Sequence, residues 1–218
     1  MAYNLKKPQA ILFDWDNTLV STWEILHRVI NLTLAEYKMP LWTLEKVKST
    51  AHKSSREAFP TLFGDKWEEA REFFYKNFNK FHLEELKTMP DALPLLDFLA
   101  KQNIKLGVVS NKKTSILNKE IEFLNWSGFF NTVIGAGDAE KDKPAPDPIF
   151  LALDRIGLKA SEEIWFVGDT IVDWQAARAS GCQPIALGEN CENELLVPNI
   201  SNCENLLLIL LQLYEIAD

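Results

Sequence analysis

The chain has 218 residues, 47% of them hydrophobic and 25% charged, which is the composition of an ordinary globular protein with one sizeable core or a core and a smaller domain. A formal net charge of −8 argues against a general surface for nucleic acid or anionic membranes, because such a surface needs a basic patch. No apolar run is long enough to span a membrane, and the three cysteines lack the spacing of a zinc site. We therefore expect a cytoplasmic protein with free thiols.

Five short apolar runs predict β-strands that are buried on both faces. Their hydrophobic residues are nearly continuous rather than alternating, which is typical of a parallel sheet covered by helices. The predicted strands cover residues 11–13, 104–109, 132–134, 164–167 and 184–187. Helical patterns accompany the last four strands at residues 92–101, 114–123, 147–156 and 171–180, and a last helix is predicted at 202–214. This alternation predicts an α/β fold with a doubly wound, Rossmann-like parallel sheet.

Residues 21–88 interrupt this alternation. They contain no convincing strand, only amphipathic helical patterns at 24–37, 44–52 and 66–83. A crossover between parallel strands needs about a dozen residues or more, and this segment is several times longer. We expect a small inserted α-helical domain at 21–88, and an α/β catalytic core formed by 1–20 and 89–218.

Two carboxylates, Asp14 and Asp16, follow the first predicted strand directly. Residues at i and i+2 of an extended segment share a face, so the two side chains would lie side by side. Burying two like charges together is costly unless a proton or a cation compensates them. This segment on its own also fits an ordinary Asx-type turn after a strand, which needs no ligand.

Polar residues also follow three of the other predicted strands. Ligands bind outside the carboxyl ends of the strands in open α/β sheets, so we expect these residues to meet at one edge. They are Ser110 and Asn111, followed by Lys112 and Lys113 where the next helix begins, then Lys143 in a proline-rich loop, and finally Asp169 and Asp173.

These groups suit phosphoryl transfer through a covalent intermediate. The Asp14 carboxylate is a candidate nucleophile toward phosphorus, and Asp14 with Asp169 offers the oxygen ligands that Mg²⁺ prefers. Asp16 is a candidate to protonate the leaving oxygen and later to deprotonate water. Groups that bind the phosphoryl oxygens complete such a site, and the candidates are Ser110, Asn111 and Lys143.

The ordered set of motifs resembles the haloacid dehalogenase-like hydrolases, specifically their phosphatase branch. The first family motif, DxDx[TV], matches residues 14–18 and ends on Thr18. The second motif, a Ser or Thr after a hydrophobic strand, matches Ser110, and the lysine motif matches Lys143. The acidic motif GDxxxD matches residues 168–173. The inserted helical segment looks like the cap of the phosphoglycolate phosphatase and β-phosphoglucomutase-like subgroup.

This resemblance implies a role for each matching residue. Asp14 would be the nucleophile and Asp16 the general acid/base, and the helical insert would be a cap that closes over the site. Mg²⁺ would be held by Asp14, Asp169 and the backbone carbonyl of Asp16, with Asp173 as a further ligand or a neighbour of the ligands. The phosphate-binding candidates are Thr18, Ser110, Asn111, Lys143 and Arg56. The subgroup more often has Gly where this chain has Asn17, but Asn tolerates the left-handed conformation of such a turn.

Substrate selection is expected to come from the helical segment. The first candidate for such contacts is a polar cluster of His52, Lys53, Ser55 and Arg56. Arg56 is the candidate for binding a second phosphate or a carboxylate of the substrate, although an ordinary surface helix turn explains the cluster equally well.

The predicted function is Mg²⁺-dependent hydrolysis of a small phosphate monoester, with phosphoglycolate as the favoured substrate. A β-phosphoglucomutase-type phosphomutase is the alternative, since the motifs do not separate the two. A catalytically silent phosphate-binding regulatory module is a third reading, because fold does not fix function. The presence of Asp16 speaks against a dehalogenase or phosphonate hydrolase. We expect a small phosphorylated metabolite as partner, no nucleic acid or membrane, and a monomer or homodimer.

Overall fold

A computed structural model describes residues 5–50, 54–188 and 197–215 of the chain. The chain divides into two compact units, one of Met1–Val20 and Thr88–Asp218 and the other of Ser21–Lys87. We call them the α/β unit and the helical unit. Their boundary differs from the one expected from the sequence only at residue 88.

The described residues form eight strands and nine α-helices. The strands are β1 (Ala10–Phe13), β2 (Val20–Ser21), β3 (Lys87–Thr88), β4 (Lys105–Lys113), β5 (Thr132–Ala136), β6 (Ile164–Gly168), β7 (Gln183–Leu187) and β8 (Asn199–Ile200). The helices are α1 (Trp23–Glu36), α2 (Leu44–Thr50), α3 (Ser55–Phe63), α4 (Trp67–Phe81), α5 (Ala92–Lys101), α6 (Thr114–Phe123), α7 (Asp147–Arg155), α8 (Ile171–Ser180) and α9 (Cys203–Glu215).

Six strands form one parallel sheet in the order β5-β4-β1-β6-β7-β8. From β1 the chain proceeds outward through β4 to β5 and then returns to β6 on the other side of β1. The strand order therefore reverses at β1, and such a switch point opens a crevice at the carboxyl ends of the strands. The predicted α/β fold with a doubly wound parallel sheet is confirmed.

The core of the α/β unit covers both faces of β1. Leu12 packs with residues of β4, β5, β6, α7 and α8 in one apolar cluster. Ile11 and Phe13, which alternate with Leu12 along the strand, are also fully buried. Burial on both faces explains why the sequence of β1 shows no polar alternation.

The helical unit has a core of aromatic side chains. In α4, Ala70, Phe74 and Phe78 follow at intervals of four residues and are all buried, as expected for one face of an amphipathic helix. Phe59 of α3 meets Phe74 edge to face at 5.4 Å between ring centroids. These rings fill the interior of the unit, as predicted for part of its aromatic set.

Several helices match their predicted bounds. The predicted helices at 92–101, 114–123 and 171–180 are α5, α6 and α8 without change. Gly181 ends α8 in the left-handed conformation with φ of 84°, and glycine adopts this conformation without a steric penalty.

The sequence patterns missed α3 and the short strands β2, β3 and β8. Pro60 lies inside α3 and lacks the N–H donor that a helix interior requires, so this segment gives no clean helical signal. The predicted strand at 104–109 is too short, because β4 continues to Lys113, which pairs with Ala136 across an irregularity in the ladder.

Cys182 and Cys203 are buried free thiols, and Cys191 lies outside the described residues. Within residues 5–50, 54–188 and 197–215, no helix combines the length and the apolar character needed to cross a membrane.

Candidate functional site

The turn after β1 carries the first pair of carboxylates. Asp14 extends the ladder by one residue, since its N–H donates to the carbonyl of Val167 at 2.8 Å. The chain then reverses at Asn17, which has φ of 61° and donates its N–H to the carbonyl of Val20. The turn therefore requires a residue that tolerates a left-handed conformation, and Asn meets this requirement in place of Gly.

Lys143 is the centre of the site. Its side chain is almost fully buried, and its ammonium nitrogen lies 2.7 Å from Asp14 Oδ1 and 2.7 Å from Asp173 Oδ1. It also donates to the carbonyl oxygen of Val109 at 2.7 Å. An ammonium group has three N–H donors, so these three acceptors account for all of them. One lysine thus connects the residue that follows β1, the middle of β4 and the first turn of α8.

The side chain of Asn111 holds the backbone of Lys143. Its amide nitrogen donates to the carbonyl of Lys143 at 2.9 Å, and its amide oxygen accepts the N–H of Lys143 at 3.0 Å. This reciprocal pair fixes the loop between β5 and α7 against the end of β4. Asn111 therefore positions Lys143, a role different from the predicted contact with phosphate, which stays a prediction.

Asp173 is held by the start of its own helix. Asp173 Oδ2 accepts both the N–H of Thr170 at 3.0 Å and the Thr170 hydroxyl at 2.7 Å. Gly168 allows this arrangement, because a Cβ at that position would lie 2.5 Å from Asp173 Cγ. The position of Asp173, the last residue of the GDxxxD motif, therefore requires a residue without a Cβ at Gly168.

The structure brings three carboxylates together. Asp14, Asp169 and Asp173 each offer an oxygen within 4.8 Å of the others. The Thr18 hydroxyl donates to Asp169 Oδ1 at 3.4 Å, which connects the turn after β1 to the end of β6. Thr18 is fully buried. Its predicted contact with phosphate stays a prediction.

Burial and crowding shift the pKa values of this cluster. The pKa of Asp14 is raised to about 7, chiefly by burial; the Lys143 ammonium opposes this shift, and the charges of Asp173 and Asp16 add to it. Burial and the charges of Asp173 and Asp14 place the pKa of Asp169 well above its usual range. Burial alone would lower the pKa of Lys143, but the charges of Asp14 and Asp173 outweigh it and raise the pKa.

The donor set fits a divalent cation. Three ionised carboxylates around one ammonium leave an excess of two negative charges in a buried site, which is unfavourable without compensation. Hard carboxylate oxygens are the ligands that Mg²⁺ prefers. Asp14, Asp169 and Asp173 would hold such an ion; the predicted contribution of Asp16 through its backbone carbonyl stays a prediction.

Asp16 lies in a second charged group that the sequence analysis did not predict. Lys112 Nζ lies 2.6 Å from Asp16 Oδ1 and 2.6 Å from Glu120 Oε2. The Trp15 indole donates to the same Glu120 oxygen at 2.7 Å. The local sequence pattern does not indicate this group, because a charged residue on a helix, such as Glu120, is exposed by default.

The remaining predicted residues lie in β4, in α3 or outside the described residues. Ser110 is buried in β4, and its hydroxyl oxygen accepts the N–H of Lys112 at 3.1 Å. Arg56 lies in α3 of the helical unit, so its assignment as a phosphate ligand stays a prediction. Ser55 Oγ forms a hydrogen bond with Tyr75 Oη at 2.6 Å within that unit. His52 and Lys53 lie outside the described residues.

Comparison with known proteins agrees with this geometry. Residues 11–187 match the model of a family described as haloacid dehalogenase-like hydrolase. The chain belongs to the haloacid dehalogenase-like hydrolase family. All four motifs of the sequence analysis lie within the matched residues.

Similar members of this hydrolase family have phosphatase names. A phosphoglycolate phosphatase of Photorhabdus laumondii is 30% identical over 191 residues, which cover 84% of this chain and 81% of that protein. The pyrophosphatase PpaX of Bacillus velezensis is 33% identical over 177 residues, 81% of each chain. A solved structure of a haloacid dehalogenase-like hydrolase from Bacteroides fragilis is 26% identical, with a TM-score of 0.83 over 93% of this chain and all of that one. These relatives indicate that the hydrolase is a phosphatase.

Proposed function

We propose that the protein hydrolyses a small phosphate monoester by way of a phosphoryl group carried on Asp14. The observation that supports this most directly is the triple contact of Lys143 with Asp14, Asp173 and the backbone carbonyl of Val109 in β4. A buried cation beside a buried carboxylate lowers the repulsion that a phosphate dianion meets when it approaches that carboxylate.

Each step has a candidate group in this chain. A carboxylate oxygen of Asp14 attacks phosphorus, the bond from phosphorus to the ester oxygen breaks, and a proton from Asp16 passes to the leaving oxygen. Asp16 then takes a proton from water, which attacks the phosphorylated Asp14 and releases inorganic phosphate. Lys143 stays next to the transferred group throughout, and the buried Ser110 hydroxyl is the candidate for binding a phosphoryl oxygen.

Mg²⁺ is the proposed cofactor, held by Asp14, Asp169 and Asp173. When bound, it would neutralise negative charge on the carboxylates and on the phosphoryl oxygens. Its positive charge would also favour the ionised form of Asp14, which the nucleophile requires. The helical unit is the proposed cap and specificity element, with Arg56 as its candidate ligand for a second anionic group of the substrate.

Phosphoglycolate is the first substrate to test, because several relatives with this activity in their names are 28–30% identical to the chain. Pyrophosphate is the second, because a relative named pyrophosphatase is 33% identical. The proposed partner is thus a small anionic metabolite, and the proposed location is the cytoplasm.

The test is phosphate release from a panel of substrates. The panel contains phosphoglycolate, pyrophosphate, sugar phosphates, simple alkyl phosphates and p-nitrophenyl phosphate, each with Mg²⁺ and with EDTA. Asp14→Asn should reduce release to the level without enzyme, whereas Asp154→Asn, the same change at an exposed position of α7, should not change it. Equal release from Asp14→Asn and the native protein would refute the covalent mechanism. Sugar-phosphate isomerisation without net release would instead identify a mutase.

A further inference from the structure

Asp16 contacts a group of three side chains, Lys112, Glu120 and Trp15, that the proposed reaction does not use. Lys112 bridges Asp16 and Glu120, with 2.6 Å from its ammonium nitrogen to an oxygen of each. The indole N–H of Trp15 donates to the same Glu120 oxygen that contacts Lys112. We call Lys112, Glu120 and Trp15 the anchor group.

Burying the charges of the anchor group costs desolvation free energy, which indicates a role beyond packing. Glu120 is fully buried, and Ile116, Leu117 and Ile121 of the same helix show that this face of α6 otherwise packs apolar side chains. A leucine would therefore suit the position at least as well. A buried carboxylate is tolerated only when hydrogen-bonded or paired with a cation, and Glu120 has both kinds of partner.

The partners of Glu120 restrict where Lys112 can place its charge. The side chain of Lys112 is 7% exposed and that of Glu120 is not exposed. The Trp15 ring is itself packed edge to face against Trp126 and Phe130, with centroid distances of 5.9 and 6.3 Å. Contacts with the buried Glu120 and, through Trp15, with the buried Trp126 therefore restrict the position of the ammonium group that contacts Asp16.

Asp16 has the opposite character. Its side chain is 28% exposed, the largest exposed fraction among the carboxylates and lysines joined by these ion pairs at the site. An aspartate side chain in a surface-accessible position samples several rotamers, whereas a proton donor must stay within hydrogen-bonding distance of the leaving oxygen. The ion pair with Lys112 restrains this partly exposed side chain.

We propose that Lys112, held by Glu120 and Trp15, is a positioning residue that sets the orientation of Asp16 for proton transfer to the leaving group. The proposal rests on the proposed function. The ammonium nitrogen lies 2.6 Å from Asp16 Oδ1, so Oδ2 is the oxygen proposed to carry the transferable proton. In the transfer step the bond between Asp14 and phosphorus forms, the bond to the leaving oxygen breaks, and the proton on Oδ2 moves to that oxygen.

The test exploits the fact that leaving groups differ in their need for a proton. An alkoxide needs protonation as it leaves, whereas p-nitrophenolate is stable as an anion. We compare kcat/KM for the best alkyl phosphate of the panel with kcat/KM for p-nitrophenyl phosphate. This parameter reports only steps up to release of the alcohol, so the later attack of water does not enter. The ratio of the two values is also independent of the fraction of folded enzyme, because both are measured on one preparation.

The variants separate positioning from stability. Lys112→Met removes the anchor but leaves Glu120 without its cation. The double variant Lys112→Met/Glu120→Gln removes the anchor and also the unpaired buried charge, so it should fold more readily. Lys112→Arg retains a cation and should restore part of the ratio. Lys119→Met is the matched control, the same change at an exposed residue next to Glu120 on α6.

General acid catalysis contributes about 10²–10⁴-fold, and we expect loss of positioning to remove about 10- to 100-fold. The alkyl-to-nitrophenyl ratio should fall by this factor in Lys112→Met and in the double variant, and stay constant in Lys119→Met. A ratio within twofold of the native value in both Lys112→Met and the double variant would overturn this inference and leave the proposed function standing. A native protein that releases phosphate from neither ester would instead overturn the proposed function and this inference with it.

Discussion

Gly168 offers a sharp test of how the site is assembled. It is the last residue of β6, and an added Cβ would lie 2.5 Å from Asp173 Cγ and 2.6 Å from Asp173 Oδ2. Real Cβ atoms are not found this close to other heavy atoms, so something must move. Asp173 cannot move freely, because it is 1% exposed and is held by Lys143 and Thr170. Gly168→Ala should therefore displace the carboxylate and loosen its contact with Lys143.

The expected cost follows from two contributions. Overpacking a tight interior costs about 1–3 kcal/mol, and breaking a buried ion pair costs about 3–5 kcal/mol when one partner is lost entirely. Displacement weakens the pair with Lys143 without removing it, so only part of the second contribution applies. We expect Gly168→Ala to lower the free energy of unfolding by about 2–5 kcal/mol, measured by urea denaturation in EDTA.

Two other glycines supply controls for the same substitution. A Cβ at Gly107 would lie 2.7 Å from Leu12 Cδ2 and from Thr132 Cγ2, so its overlap is with apolar side-chain atoms rather than with a carboxylate. A Cβ at Gly128 would meet no atom within 4 Å. We expect Gly107→Ala to destabilise the protein by about 1–3 kcal/mol and Gly128→Ala to have little effect.

Function should separate the two destabilised variants. Per folded molecule, Gly107→Ala should keep its kcat and its Mg²⁺ requirement, whereas Gly168→Ala should lose at least about tenfold in kcat, a barrier increase of about 1.4 kcal/mol. The assay is Mg²⁺-dependent phosphate release, with the folded fraction measured by circular dichroism. If Gly168→Ala were destabilised but kept the native kcat and Mg²⁺ dependence, the claim that Asp173 and Lys143 act as one unit would be wrong.

Three further predictions concern the buried charges. Lys143→Met leaves Asp14 and Asp173 without their cation, so it should abolish phosphate release and lower the free energy of unfolding by about 3–5 kcal/mol, and an unchanged urea midpoint would contradict this. In EDTA the stability of the native protein should fall as pH rises from about 4 to about 7, because the pKa of Asp14 is about 7 in the fold and 3.8 is the ordinary value of an aspartate. Asp14→Asn should flatten this slope in thermal melts, and Mg²⁺ should raise the melting temperature more at about pH 8, above the pKa of Asp14 in the fold, than at about pH 5, below it. Asn111→Ala removes two hydrogen bonds to the backbone of Lys143, so it should cost about 1–3 kcal/mol and lower kcat, whereas equal kinetics would show that the loop is held by other contacts.

The local sequence was sufficient to predict most of the elements and the order of the motifs. Helices such as α5, α6 and α8 follow from the spacing of apolar residues, and Gly181 marks the end of α8, because both signals depend only on neighbours in the chain. The same holds for the turn after β1, where Asn17 adopts the left-handed conformation that was expected of it. Pro60 shows the limit of such signals, since α3 forms around a residue that ordinarily breaks helices.

The arrangement within the site was decided by the tertiary structure. Asp14 is more than a hundred residues from Lys143 along the chain, and a helix and a strand separate Lys143 from Asp173. Only the parallel sheet brings both carboxylates to 2.7 Å from the ammonium nitrogen of Lys143. The anchor of Lys112 on Glu120 had no local signal, because a glutamate on an amphipathic helix is ordinarily exposed. Burial converts these residues from surface charges into fixed partners, since a charge removed from water is tolerated only where the fold supplies its counter-charge.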